Sequence, residues 1–142
     1  MSIEAEQPFK WFGIRQTAKR FDRVAFQLGL GRQSVSANAV HDLRVSIRRL
    51  LAALGCFSCV FEKEDSRELI ARVEKVLDAA GDVRDYDIAL ELAEESGLDP
   101  GCSLVKSLAD QRRQRAMALG QELRRGGIRK FSIRWRQRLG LS

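Results

Sequence analysis

The sequence predicts an all-α protein, an antiparallel four-helix bundle with an additional short C-terminal helix. Three observations predict it. Apolar residues recur at spacings of three, four and seven in each long segment, the period of one helix face. The 142 residues hold only two prolines and are rich in Ala, Leu, Arg and Glu, which favour helix. No segment shows the apolar–polar alternation of a half-buried strand, and no internal repeat is visible. A chain that is 44% apolar and 31% charged is globular, and this length suffices for a core without metal or disulfide staples. One domain is expected over residues 1–142, its core over 9–139, with no cofactor implied.

The first helix is expected from Pro8 or Phe9 to about Leu30, with Pro8 suited to a first turn, where its missing N–H is no loss. Trp11, Ile14, Ala18, Phe21, Ala25 and Leu28 make its inward stripe, flanked by Arg15 and Lys19. Gly29 and Gly31 should end it, followed by a polar linker. The second helix begins at a Ser36 or Asn38 cap and runs to about Val60. With Asn38 as cap, His41 falls in the first turn, beside amides that lack intrahelical partners and receive anions readily.

The third helix opens on Asp65-x-x-Glu68, similar to a capping box, and is stopped after Ser96 by Gly97 and Pro100. Its stripe reads Leu69, Val73, Val76, Leu77, Ala80, Arg84, Ile88. Arg84 thus occupies a core position, where a guanidinium needs a partner; Asp85 and Asp87 are the nearest choices. Gly81 marks a bend or a close helix approach. The fourth helix spans about Ser103 to Arg125. Arg112 and Arg115 interrupt its stripe of Leu104, Leu108, Leu119 and Leu123, and its one neighbouring carboxylate, Asp110, points elsewhere. After a break at Gly126-Gly127, IRKFSIRWRQRLGL makes a short basic amphipathic helix. Trp11, Phe21 and Trp135 are expected in the core.

The second helix carries the main functional signal. Val40, Leu43, Ile47, Leu50, Leu51 and Leu54 form its apolar stripe, while His41, Arg44 and Arg48 form a basic one with Arg49 at its edge. The only carboxylate there, Asp42, falls off that stripe. A solvated helix face usually interleaves Glu with Arg at i,i+4 spacing; this one leaves its cations unpartnered. Ala52, Gly55 and Cys59 continue the stripe with small residues that leave room for an approaching group.

Charge is segregated along the chain. Lys10–Arg49 carries nine basic and two acidic residues, Glu62–Asp99 five and thirteen, Arg112–Arg138 ten and one. Two basic regions can therefore meet around one surface, partly neutralised by an acidic helix. Arg outnumbers Lys by 19 to 6, and its planar fork matches phosphate oxygens bidentately; a GC-rich genome gives the same bias. The net charge of +6 suits nucleic acid, anionic headgroups or another polyanion.

Cys56, Cys59 and Cys102 offer a single C-x-x-C near a helix end, which suits neither a zinc site nor a redox pair at a helix start. Small buried side chains are the expectation. MSIEAEQPFK lacks an apolar run, so no signal peptide is expected, nor a membrane span; a reduced, cytoplasmic protein is.

His41-Asp42-Leu43-Arg44-Val45-Ser46-Ile47-Arg48-Arg49-Leu50 resembles the H-x-x-R-V-x-x-R-R-L signature of CHAD domains, helical domains that bind inorganic polyphosphate. Gly81-Asp82-Val83-Arg84-Asp85-Tyr86-Asp87 is similar to that family's G-x-x-R-D-x-D on the following helix. Either motif alone is weak in an Arg-rich helical chain; two in order on successive helices are specific. The resemblance covers roughly Phe9 to Leu139. It implies a bundle whose basic residues line a groove or pore for polyphosphate, with His41, Arg44, Arg48, Arg49 and Arg84 at the matching motif positions. Members of the family accompany triphosphate-tunnel domains or associate with polyphosphate or polyhydroxyalkanoate granules. The usual domain has two four-helix units, so a homodimer would restore the second. Leu51 stands where many members carry a further cation. Glu4-x-Glu6 is superficially similar to the start of the triphosphate-tunnel domain, but Pro8 replaces its Lys and no strands follow.

To that set the stripe positions add Arg112 and Arg115 as the opposing wall, and Arg15 and Lys19 from the first helix. The expected partner is inorganic polyphosphate, bound without catalysis. Two other readings compete. A helical DNA- or RNA-binding protein would show outward arginines among stacking aromatics. An enzyme or accessory subunit of phosphate metabolism would need a metal site or turnover, and Asp82, Asp85 and Asp87 point in different directions around their helix. The bland readings are a capped His41, arginines paired with the acidic helix, and a structural ion pair for Arg84.

Overall fold

In the computed structural model, residues 3–125 and 128–141 are described, and the side chains from residue 6 onward except those of 128 and 129. Five helices follow in order: α1 Ile3–Gln33, α2 Ala37–Cys56, α3 Lys63–Glu95, α4 Ser103–Arg124 and α5 Ile128–Leu139. The bundle expected from the periodicity is the one found. α1 packs on α2, α2 on α3, α3 on α4, and α4 closes the ring on α1, so α2 and α4 face each other across a diagonal. Short linkers join successive helices and make neighbours antiparallel, and α5 lies across α1 and α3. The expected break at Gly126-Gly127 lies outside the described residues.

The apolar stripes meet in one core. α2 supplies Val40, Leu43, Ile47, Leu50 and Leu54, each at most 1% exposed; Leu51 packs at its margin. Against them lie Phe21, Val24 and Leu28 of α1, Leu69, Val73, Val76, Ala80 and Val83 of α3, and Leu119 and Leu123 of α4. Full burial of such side chains is worth about 1.5–3 kcal/mol apiece, and this drives helix docking more than propensity does. Phe21 stacks on Phe131 of α5, ring centroids 5.4 Å apart, and Trp135 is buried.

Several local expectations change. α1 starts at Ile3, with Pro8 inside it; Pro8 is exposed, so the carbonyl that loses its partner stays within reach of water. The helix runs through Gly29 and Gly31 to Gln33. Gly31 is a packing residue, because a Cβ there would stand 3.0 Å from Leu123 Cδ1; it lets α1 and α4 close up. Trp11 is not core but 66% exposed. α2 stops at Cys56 and Phe57 tucks against Gly13, 2.9 Å from a Cβ built there, so the part of α1 before Gly13 has no second helix to cover it. Phe9 and Phe12 reach the Phe57 ring at 5.6 and 5.8 Å.

The cysteines are not buried either. The turn after α2 sends Phe57 and Phe61 inward and leaves Cys56 and Cys59 exposed, with Cys102 half-buried. α3 begins at Lys63, with no side-chain cap. Asp65 and Glu68 do not form a capping box, because both accept from Arg138 of α5. Gly81 meets nothing within 4 Å of a built Cβ, so it marks no close approach. The stop at Gly97 is as expected: its φ of 77° lets its N–H reach Glu94 O and the Leu98 N–H reach Ala93 O.

Candidate functional site

Ser36 caps α2, its hydroxyl accepting from the Ala39 N–H at 3.2 Å. The first intrahelical bond, Val40 N–H to Ser36 O at 2.9 Å, already precedes His41. The free-amide setting expected for His41 is therefore not formed; its imidazole stands exposed on the second turn. Arg44, Arg48 and Arg49 follow outside the buried stripe of Leu43, Ile47 and Leu50, with Arg44 half-buried at its margin.

The α2 cations divide between two flanks. Arg49 turns toward α1, where it lines a cavity of about 170 Å³ with Ser46, Lys19, Arg20 and Arg23. Arg44 and Arg48 turn toward α3 and lie near Arg84: burial first, then the charges of Arg48 and Arg84, push the Arg44 guanidinium below its ordinary value, while Asp85 pulls it back up. The Arg44 Nε is buried without a hydrogen-bond partner. Like charges gathered around an unsatisfied donor are costly in the free protein; an anion entering there would relieve both terms.

These positions describe one band of cations across α1, α2 and α3. Among the described residues none of Arg15, Lys19, His41, Arg44, Arg48 and Arg49 makes an ion pair. Arg84 pairs, among the described residues, with Glu91 alone, at 3.6 Å. Arg15 is exposed one turn from Lys19 on the same face of α1. Arg20 and Arg23 belong to the band and escaped the sequence reading. Their signal was Lys19-Arg20-x-x-Arg23, obscured by Asp22, whose carboxylate is engaged by Arg136 of α5.

Arg112 and Arg115 do not form the opposing wall. Arg112 belongs to the fold: its Nε donates to Asp87 at 2.9 Å and its guanidinium also holds Val35 O at 2.7 Å, tying α4 to α3 and to the α1–α2 linker. Asp87 is 8% exposed. The α3 core stripe is thus Val76, Ala80, Val83, Asp87, turned about one residue from the expected one. Arg84 sits at its flank, its side chain 25% exposed, and is paired with neither Asp85 nor Asp87. Arg115 is exposed on α4 between Gln111, which bonds Tyr86, and Glu122, which bonds Arg72. That places it on the outer α3–α4 groove, away from α2.

The acidic helix does neutralise basic neighbours, but selectively. Asp87 takes Arg112, Asp65 and Glu68 take Arg138, and Glu122 of α4 returns the exchange with Arg72 at 2.8 Å. The α2 arginines receive none of these carboxylates. Guanidinium groups left without carboxylate partners, with Arg44, Arg48 and Arg84 close enough to repel one another, are groups of the type that pair bidentately with oxyanions.

The CHAD domain family model matches residues 15–142, nearly the whole chain, and the chain belongs to that family. Neither the curated proteins nor the solved structures give a match. Among the described residues no helix is long and apolar enough to cross a membrane.

Proposed function

We propose that the chain binds inorganic polyphosphate along the band across α1, α2 and α3, and holds it without chemical change. The supporting observation is the set His41, Arg44, Arg48 and Arg49 on one helix, without an ion pair among the described residues, while Arg72, Arg112 and Arg138 are held by carboxylates. Each internal phosphate of the polymer carries a charge, so successive guanidiniums engage successive phosphates and release counterions. About five engaged cations would cost roughly 10²–10³ in affinity between about 50 and about 200 mM salt. Guanidiniums remain protonated at neutral pH and serve as hydrogen-bond donors and charges, not as proton shuttles, which favours retention over reaction.

Nucleic acid is the weaker reading. The most exposed aromatic, Trp11, stands at the α1 overhang and does not interleave with the arginines of α2. Displacement of bound polyphosphate by duplex DNA, at matched salt and phosphate concentration, separates the two; stronger binding of the DNA would sink the proposal. Release of free phosphate on incubation with Mg²⁺ would overturn its non-catalytic part.

The homodimer stays with this proposal. At the α3–α4 hairpin, beyond the Arg112–Val35 tie, Ile88, Leu92, Leu98 and Leu104 are exposed, an apolar end available to a second copy.

A further inference from the structure

A second concentration of cations lies on the other side of α3. Lys75 is nine residues before Arg84, about half a turn round the helix axis, and faces α5 where Arg84 faces α2. Between α3 and α5 is a cavity of about 580 Å³. Its floor is apolar, made by Ala71, the half-buried Phe131 and a surface of the otherwise buried Trp135. Its rim is cationic, with Lys75, Lys130, Arg134 and Arg125.

The cations differ in availability. Arg72, which also lines the cavity, is committed to Glu122 at 2.8 Å and to Arg125 O at 3.0 Å. Arg125 is shared loosely with the same Glu122, at 3.6 Å. Lys75 and Arg134 make no ion pair among the described residues, and Arg134 lies 5.6 Å from the centroid of the Trp135 ring. The one carboxylate of the lining, Glu68, is covered by Arg138 at 2.6 Å, so little negative charge faces the cavity.

An apolar floor under a cationic rim selects a ligand with two ends. Linear inorganic polyphosphate has no apolar part and would leave the floor uncovered. A planar ring carrying a short phosphate chain covers both, and the volume falls within the range of about 300–1,000 Å³ typical of small-molecule sites. We propose that this cavity is a second binding site, for a nucleoside polyphosphate, with the base against the half-buried Phe131, beside the largely covered Trp135, and the phosphates on Lys75 and Arg134. It is separate from the α1–α2–α3 band and does not rest on the polyphosphate reading.

The test uses the full chain carrying Trp11→Phe, which leaves Trp135 as the only tryptophan, titrated with ATP. Saturable quenching of Trp135 is expected. Lys75→Glu with Arg134→Ala should weaken ATP by roughly tenfold or more, and Lys75→Gln alone should weaken it measurably if the double variant misfolds. Inorganic triphosphate should bind less tightly than ATP, and Arg48→Ala should leave ATP affinity unchanged while weakening long-chain polyphosphate. Absence of saturation at millimolar ATP, equal binding of inorganic triphosphate, or loss of ATP binding on Arg48→Ala would each overturn the assignment.

Discussion

Arg44→Met should make the free protein more stable and the ligand complex weaker. The substitution keeps an unbranched side chain of similar reach, which limits loss of packing, while removing a guanidinium whose Nε is buried without a partner. An unsatisfied buried donor costs roughly 1–3 kcal/mol, and proximity to Arg48 and Arg84 adds repulsion. Allowing for partial solvent access, about 1 kcal/mol should be recovered, a rise in Tm of about 3 °C for a chain of this size. A charge-assisted hydrogen bond to phosphate is worth roughly 1.5–3 kcal/mol, so affinity should fall roughly ten- to a hundredfold. The slope of log K against log salt should shrink by about one. The assay is thermal unfolding of wild type and variant, each with and without long-chain polyphosphate, repeated over a salt series. A lower Tm for the free variant would refute the claim that Arg44 is held at a cost. An unchanged affinity would refute its place in the site.

Arg112→Met should behave in the opposite way. Loss of its tie to Asp87 and Val35 strands a buried carboxylate and should cost about 2 kcal/mol in denaturant unfolding, less than a fully buried pair because Arg112 is partly exposed; Asp87→Ala in the same chain should add little further. Gly81→Ala should stabilise by about 0.5–1 kcal/mol, since a built Cβ meets nothing and helix propensity improves; thermal unfolding reads it. Acidification should loosen α5. The carboxyl of Glu68 is held below its ordinary value by Arg138, so its stabilisation is present in full above the normal carboxylate range and is lost as pH falls through that depressed value. Glu62, raised by Asp65, acts in the opposite sense. Trp135 fluorescence should report the change, and Glu68→Gln should remove part of the pH dependence. Leu92→Asp with Leu104→Asp should shift any dimer to monomer in sedimentation, with helicity retained.

The fold was legible because helix faces repeat locally: the α2 apolar stripe could be read from spacing, and Val40, Leu43, Ile47, Leu50 and Leu54 of it are buried, with Leu51 at the margin. The same rule was ambiguous on α3, where Val83 and Arg84 both continue a plausible stripe. Only the Arg112–Asp87 pair decides between them, and it joins residues 25 positions apart. Trp11 depended on where a different helix ends. Gly31 followed a sound local rule for stopping a helix and was overruled by a tertiary demand, the close approach of Leu123. On the site, Arg44 and Arg48 lie near Arg84, but Arg84 stands at the flank of the α3 core stripe and not on it, and His41 lies two residues further from the α2 cap, Ser36, than an Asn38 cap would put it. Arg20 and Arg23 were obscured by Asp22, whose engagement by Arg136 no spacing rule shows.

The positions of the carboxylates support the proposal that the α2 surface receives polyphosphate. A net charge of +6 by itself predicts diffuse attraction to any polyanion. The bundle concentrates it: α3 directs Asp65, Glu68 and Asp87 toward α5 and α4, and Asp22 of α1 is engaged by Arg136. Those pairs stabilise helix docking, and the same pairing keeps Asp65, Glu68 and Asp87 from α2, leaving Asp85 as the carboxylate that acts on Arg44. The cost of bringing the cationic positions near one another is then met in folding, through the core that orients α2. Ordering the exposed Arg48 and Arg49 side chains still opposes the ligand, at about 0.5–1.5 kcal/mol apiece. A receptor built this way discriminates by the spacing of its cations more than by their number. Moving Arg48 by one residue, by exchanging Ile47 and Arg48, should therefore damage polyphosphate binding while leaving net charge unchanged. It would also bury a guanidinium, so the cleaner variant is the exchange of exposed Arg49 with exposed Ala52. Unchanged affinity in that variant would mean that charge alone, not its placement, holds the polymer.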